Sequence, residues 1–212
     1  DIKTKNPQII LEGRSLEIKD IKTNVSLRSL IRNQFSIDYL KFETKEIKLR
    51  DIIALGRVFK NSSELFVLNS IIKEGFLTAN VSLNFDDKGK IKENYKIEGS
   101  IKKTKLNILN QLKIQNLNFD FYIDQKNYTL ERIETNINKI KITSPLITIQ
   151  DKEKLFFING QFLSGKKNFD IEELKSIFVN LPENMNFNKL EFSSKNNFSF
   201  NISKKLKFDN FK

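Results

Sequence analysis

Apolar and polar residues alternate with period two over most of this chain. The clearest case is Leu77, Ala79, Val81, Leu83 and Phe85, interleaved with Thr78, Asn80, Ser82 and Asn84. In an extended chain successive side chains point to opposite faces, so this pattern predicts a strand with one apolar and one wet face. Residues 8–11, a short apolar run, and the alternating residues 15–18 and 21–25 also read as strands, with Gly13 at a turn. Asp86-Asp-Lys-Gly89 predicts a hairpin turn, and the return strand carries Tyr95, Ile97, Gly99 and Ile101. Further strands are expected at residues 106–109, 117–123, 128–133, 137–142, 146–149, 155–162 and 187–192, and around Phe198, Phe200 and Ile202.

A second pattern interrupts the alternation: apolar, two others, apolar, one other, apolar. It occurs at Ile37-Asp-Tyr-Leu40-Lys-Phe42, Ile114-Gln-Asn-Leu117-Asn-Phe119 and Phe187-Asn-Lys-Leu190-Glu-Phe192, and in shortened form at Ile18-Lys-Asp-Ile21. Each is read as a corner in the sheet. Helical spacing is confined to a few places. Residues 26–33 suggest a brief helix, and residues 50–60 a helix with the stripe Ile52, Ile53, Leu55 and Phe59. Residues 63–73 suggest another, capped by Ser63 and ended by Gly75. Asp170 and Glu173 form a capping-box pattern ahead of Ile171, Leu174, Ile177 and Phe178, a short helix near 170–179 that stops before Pro182.

The expected fold is therefore mainly β with a few short helices: a long meandering antiparallel sheet. Such a sheet has one apolar face that must be covered, and the helices are too few to cover it. Either the sheet curves into an open groove, or it folds on itself as a closed sandwich; the pattern alone leaves both open. The alternating positions that would line a groove are Leu77, Val81, Leu83, Phe85, Ile97, Ile101, Leu117, Phe119, Phe121, Ile123, Ile147, Ile149, Phe198 and Phe200.

Composition sharpens this picture. Phe is abundant (19 residues) while Trp is absent, and Phe brings a large apolar surface without a polar handle, suited to a dry interior or a greasy groove. The formal net charge of +11 invites a nucleic-acid or anionic-lipid partner. However, the lysines are scattered singly among Asp and Glu, out of phase with the Phe residues. That arrangement counts against an aromatic stacking platform for nucleic acid.

Enzyme chemistry finds little material. With no His and no Cys, there is no Ser-His or Cys-His nucleophile pair, no His-ligated metal and no disulfide framework. No phosphate-binding glycine loop is present. Ser70-Ile-Ile-Lys73, Ser100-Ile-Lys-Lys103 and Ser164-Gly-Lys-Lys167 match a Ser-x-x-Lys pattern without its companion motifs, which a Lys-rich chain produces by coincidence. No enzyme, cofactor or metal site is expected. No apolar run reaches the roughly 18–20 residues of a membrane span. The chain begins without Met and in mid-pattern, so residues 1–212 are read as one segment of a longer protein.

At this point the residues carry a resemblance. Asn6-Pro7-Gln-Ile-Ile-Leu11, then Leu16-Glu-Ile18-Lys-Asp-Ile21-Lys-Thr-Asn-Val25-Ser-Leu27-Arg-Ser-Leu30, then Phe35-Ser-Ile37-Asp-Tyr-Leu40-Lys-Phe42 and Ile47-Lys-Leu49-Arg-Asp51-Ile52 resemble the N-terminal region of AsmA-like proteins of the Gram-negative envelope. The resemblance is best over residues 6–105, with 106–212 continuing the sheet. It implies a β-taco with a hydrophobic groove, similar to the bridge-like lipid-transfer proteins. It also implies a periplasmic location, inner-membrane anchoring through an N-terminal helix missing here, and a part in phospholipid transport and outer-membrane biogenesis. The implied partners are phospholipid or another acyl-chain lipid, and outer-membrane assembly proteins. No site residues transfer, because the family's motifs are hydrophobic-periodic. The alternative is a structural or assembly module with a closed, dry core.

Overall fold

A computed structural model describes residues 1–11, 14–25, 31–32, 37–59, 63–108, 112–137, 140–169, 172, 190–203 and 208–209. In chain order the elements are β1 (Ile2–Lys5), β2 (Gln8–Leu11), β3 (Arg14–Val25), β4 (Ile37–Thr44), β5 (Ile47–Lys48), α1 (Leu49–Phe59), α2 (Ser63–Ile71), β6 (Ile72–Asn84), β7 (Lys96–Ile108), β8 (Leu112–Asp124), β9 (Asn127–Ile137), β10 (Ile140–Asp151), β11 (Leu155–Phe169), β12 (Leu190–Ser203) and β13 (Phe208–Asp209). The strands form one antiparallel sheet whose path runs β1-β3-β4-β6-β7-β8-β9-β10-β11-β12-β13. The sheet is not closed, since β1 and β13 stand at its two ends. From β6 onward every strand pairs with its neighbours in sequence, as a meander built from hairpins must.

The two strands off this path follow one rule. β1 and β2 lie in line against the long β3, pairing with its residues 20–23 and 14–17. Likewise β4 and β5 lie in line against β6. At the first break Asn6 adopts φ +49°, its N–H donates to the Lys19 carbonyl, and the Ile18 N–H donates to the Pro7 carbonyl. At the second, the buried Thr44 hydroxyl accepts the Ala79 N–H at 2.8 Å, satisfying a strand group that the missing pairing leaves over.

The corner pattern corresponds to β-bulges. One extra residue in a strand lets side chains three apart share a face. The register of β3 slips between Ile18 and Asp20, and that of β3 with β4 slips between Asn24 and Val25, where Ile37 pairs with Val25. In β8 it slips between Gln115 and Asn118, with Asn116 at φ +52°. Ile114, Leu117 and Phe119 thereby all pair with the apolar side of β7 or its bulge: with Leu106, Thr104 and Ile101. The third full occurrence begins at Phe187, outside the described residues.

Bulges in neighbouring strands stand near one another, so a line of irregular pairing crosses the sheet. It includes the region between Ile72 and Phe76 in β6, Lys103 (φ +52°) in β7, Asn116 in β8, Arg132 (φ +51°) in β9, the stretch from Thr143 to Ile147 in β10 and that from Ser164 to Lys167 in β11. Pro145, inside β10, falls on this line, where a residue lacking an N–H is tolerated. Buried hydroxyls serve the irregular backbone. Thr135 donates to the Gln115 carbonyl at 3.2 Å, and Ser144 to that of Leu146 at 3.3 Å.

The helices cover one corner only. Leu49 and Ile53 of α1 pack with Ile72 into a buried cluster, against which Leu77, Ile101 and Leu106 rest. The amphipathic spacing of α1 suits this, since Leu49 and Ile53 are one turn apart. Gly75 is held at φ +145°, and a Cβ there would meet the Thr104 hydroxyl at 2.5 Å and Leu49 Cδ1 at 2.6 Å. It sits in β6 and does not end α2, which stops at Ile71 with the chain passing directly into the strand.

Several expected boundaries move in the same way. Residues 96–108 are one strand, not two, and the segment 137–142 straddles the β9–β10 connection. Phe85 lies outside the strands, in an isolated bridge to Ile91. The 86–89 turn is present as expected. Gly89 adopts φ +77° and donates to the Asp86 carbonyl, while Asp86 Oδ1 accepts from the N–H groups of Lys88 and Lys90 at 2.9 and 2.8 Å. The expected turn at Gly13 and most of the helices at 26–33 and 170–179 lie outside the described residues.

Candidate functional site

The sheet pairing brings the apolar positions into rows that run across the strands. One row passes through ten strands: Thr4, Ile21, Phe42, Val81, Ile97, Ile123, Tyr128, Ile149, Ile158 and Phe200, each paired with the next. Two residues along each strand lies a parallel row: Ala79, Gly99, Phe121, Leu130, Ile147, Gly160 and Phe198. A third, shorter row of Ile47, Leu77, Ile101 and Phe119 leads to the cluster under α1. Because side chains alternate along a strand, all three rows share one face.

The candidate lining residues fall into these rows almost without exception. Leu77, Val81, Ile97, Ile101, Phe119, Phe121, Ile123, Ile147, Ile149, Phe198 and Phe200 stand in them, Leu83 pairs with Leu40 on the same face, and Leu117 sits at the bulge. Phe85 lies beyond the end of β6. Sequence reasoning did not place Ile21, Phe42, Leu130 and Ile158 among the lining residues; the register adds them. Their signal was the same alternation, but only the pairing shows that they align.

The interleaved positions form the opposite face. There the corresponding row reads Lys5, Asp20, Glu43, Asn80, Glu98, Tyr122, Thr129, Thr148, Asn159 and Ser199. Exposed ion pairs decorate this side, such as Lys19–Glu43 at 2.8 Å and Arg132–Asp120 at 2.6 Å. The carboxylates raise the pKa of Lys19 and Arg132 above their ordinary values, chiefly through the hydrogen bonds that Glu43 and Asp120 accept. Exposed pairs of this kind add little to stability. A shallow depression of about 280 Å³ on this face is lined by Thr78, Asn80, Glu98, Ser100, Tyr122 and Arg132. Its polar walls make it a wet hollow.

Coverage of the apolar face is uneven. Beneath α1 it is a true core, with Ile47, Leu49, Ile53 and Ile72 almost inaccessible. Away from the helices, the long row from Ile21 to Phe200 is half-buried throughout, and Phe121 and Ala79 alone are buried in the second row. Toward β12 the face is aromatic. Phe162 and Phe198 stack at 4.5 Å and 18°, and Phe200 stands 5.7 Å from Phe198. Phe162 itself is 42% exposed. The Phe198 ring also lies over Gly160, where a Cβ would come within 2.7 Å of its Cζ.

Among the described residues no group of three or more Asp or Glu side chains could hold a metal ion. Of the Ser-x-x-Lys pairs, Ser70 and Lys73 meet the backbone: Lys73 Nζ donates to the Ser70 carbonyl at 2.8 Å, and the Ser70 hydroxyl donates to that of Val67 at 2.7 Å. Among the described residues no helix is long and apolar enough to cross a membrane. No family model, curated protein or solved structure matches the chain.

Proposed function

We propose that the apolar face is a lipid-binding track, and that the chain is a non-enzymatic, lipid-conducting segment of an AsmA-like, inner-membrane-anchored periplasmic protein serving phospholipid transport and outer-membrane biogenesis. One observation carries the reading: the row from Ile21 to Phe200 is apolar at every position across nine successive strands, and none of its side chains is fully buried. A protein surface rarely leaves so long an apolar stripe only partly covered unless something binds there. The aligned bulges support a curled sheet, because each sharpens local twist and bend.

The mechanism follows from the rows. Acyl chains lying against Ile, Leu and Phe gain roughly 25 cal/mol per Å² of apolar surface removed from water. Neighbouring positions are chemically alike, so an acyl chain moving along a row exchanges one aliphatic contact for another. Each step then has a small barrier, and head groups stay in water. Native mass spectrometry with organic extraction of the purified protein tests this. Near-stoichiometric phospholipid is expected, lost in Val81→Asp and Ile149→Asp while the circular dichroism spectrum persists. A folded wild-type protein that carries no lipid and takes none from vesicles would overturn it.

A further inference from the structure

At one end of the sheet the apolar rows give way to a polar hollow. Two positions on from Ile97 and Ile149, toward that end, stand Tyr95 and Asp151. Strand alternation puts them on the apolar face. Together with Glu93, Gln125, Lys126 and Tyr128 they line a hollow of about 330 Å³. Tyr128 is itself a member of the long apolar row, paired with Ile123 and Ile149, so the hollow opens onto that row. Ligand sites begin at about 300 Å³. The hollow therefore suits a small polar group and not a whole lipid.

Backbone contacts tie its frame together. The tight turn between β8 and β9 holds Gln125 at φ +54°. The Tyr95 hydroxyl donates to the Gln125 carbonyl at 2.8 Å, and the Asp151 N–H donates to the Lys126 carbonyl at 2.7 Å. The start of β7, the β8–β9 turn and the end of β10 are thus linked around the hollow. Tyr95, Tyr128 and Asp151 are half-buried, whereas Glu93, Gln125 and Lys126 are exposed.

The lining has a definite chemical demand. Two carboxylates and two phenol rings favour a cation, the rings through their negative faces. The Lys126 ammonium favours an anion. One ligand answers both when it carries an ammonium and a phosphate a few bonds apart. A primary ammonium also brings N–H donors, which the carboxylates accept as charge-assisted hydrogen bonds.

We propose that this hollow is a head-group subsite for an ethanolamine phospholipid. Glu93 and Asp151 receive the ammonium beside Tyr95 and Tyr128, Lys126 receives the phosphate, and the acyl chains run onto the row at Tyr128 and Ile149. The inference rests on the reading of the apolar face as a lipid track. It adds a point at which lipids of equal chain length are told apart.

Native mass spectrometry after incubation with vesicles of equimolar phosphatidylethanolamine, phosphatidylcholine and phosphatidylglycerol, all of one chain length, tests it. The wild-type protein is expected to hold the ethanolamine lipid in excess of the other two. Glu93→Gln with Asp151→Asn should lower the ethanolamine-to-glycerol ratio by about fivefold or more, the worth of one hydrogen bond to a charged group. Glu43→Gln with Glu98→Gln, an equal change of charge on the polar face, should leave the ratio unchanged. Three results overturn the subsite while leaving the track standing: an equal ratio in the wild type and the Glu93/Asp151 variant, an equal shift in the Glu43/Glu98 variant, or equal uptake of the choline and ethanolamine lipids. A wild-type protein that holds no lipid removes the track instead. An NMR titration with glycerophosphoethanolamine then decides the subsite. Amide shifts confined to residues 93–95, 125–128 and 151, and absent in the Glu93/Asp151 variant, support it; no shifts there overturn it.

Discussion

An added methyl group at Gly160 would have to displace its neighbours. It would meet Phe198 Cζ at 2.7 Å and Ile147 Cγ1 at 2.9 Å, atoms held by strands on either side. Gly160→Ala is therefore expected to lower stability by about 1–3 kcal/mol through overpacking, read as a lower urea midpoint with an unchanged slope. Lys103 should behave in the opposite sense. Its left-handed φ of +52° is costly for a residue with a Cβ, so Lys103→Gly is expected to be neutral or to stabilise by up to about 1 kcal/mol.

Asp86 supplies the pH-dependent case at this scale. Hydrogen bonds from the Lys90 and Lys88 amides hold its carboxyl below the ordinary 3.8. A depressed folded pKa contributes stability that is fully present above the unfolded value and lost as pH falls through the folded one. An NMR titration should place Asp86 below its unfolded value. Asp86→Asn should flatten that acid-side portion of the stability curve.

At the scale of elements, α1 is the anchor. Ile53→Ala removes a side chain wedged between Leu49 and Ile72 and should cost about 2–5 kcal/mol, measured by the same denaturation. Leu68→Ala on α2, exposed by 44%, should change stability little. These elements were largely legible beforehand. Strict alternation in Leu77-Thr-Ala79-Asn-Val81 specified both strand and face, and Ile53 with Leu55 specified the helix. The corners were visible as a pattern, but not as bulges, because the sequence shows that three-apart residues share a face without showing what the extra residue does. Strand ends were misjudged where a bulge interrupted the period, as at Lys103, or where a turn kept it, as between Ile137 and Ile140. The candidate face was legible strand by strand. Its rows were not, since register belongs to pairs of strands, and Phe42 declares its neighbours only once β4 lies against β6.

At the scale of the molecule, burial is lopsided. Among the described residues most of the buried apolar ones, Ile18, Ile47, Leu49, Ile53, Leu55, Ile72 and Ala79, precede β7, with Phe121 and Ile133 the later members. Amide hydrogen exchange should therefore be slowest in β6 and β7 near the helices and faster in β11 and β12, where little covers the sheet. Equal protection across the sheet would show that the apolar face is covered along its length.

The meander has a further consequence, for how the chain acquires its structure. From β6 to β11 each strand's partner is the next segment of chain, only a short connection away. The loop-closure entropy of each step is therefore small, and no pairing must wait for a distant segment. Such a sheet can assemble hairpin by hairpin in the order in which the chain emerges, each new strand finding its template already formed. The closures that must span more chain are those that bring β4 beside β6 across two helices and β12 beside β11 across residues 170–189.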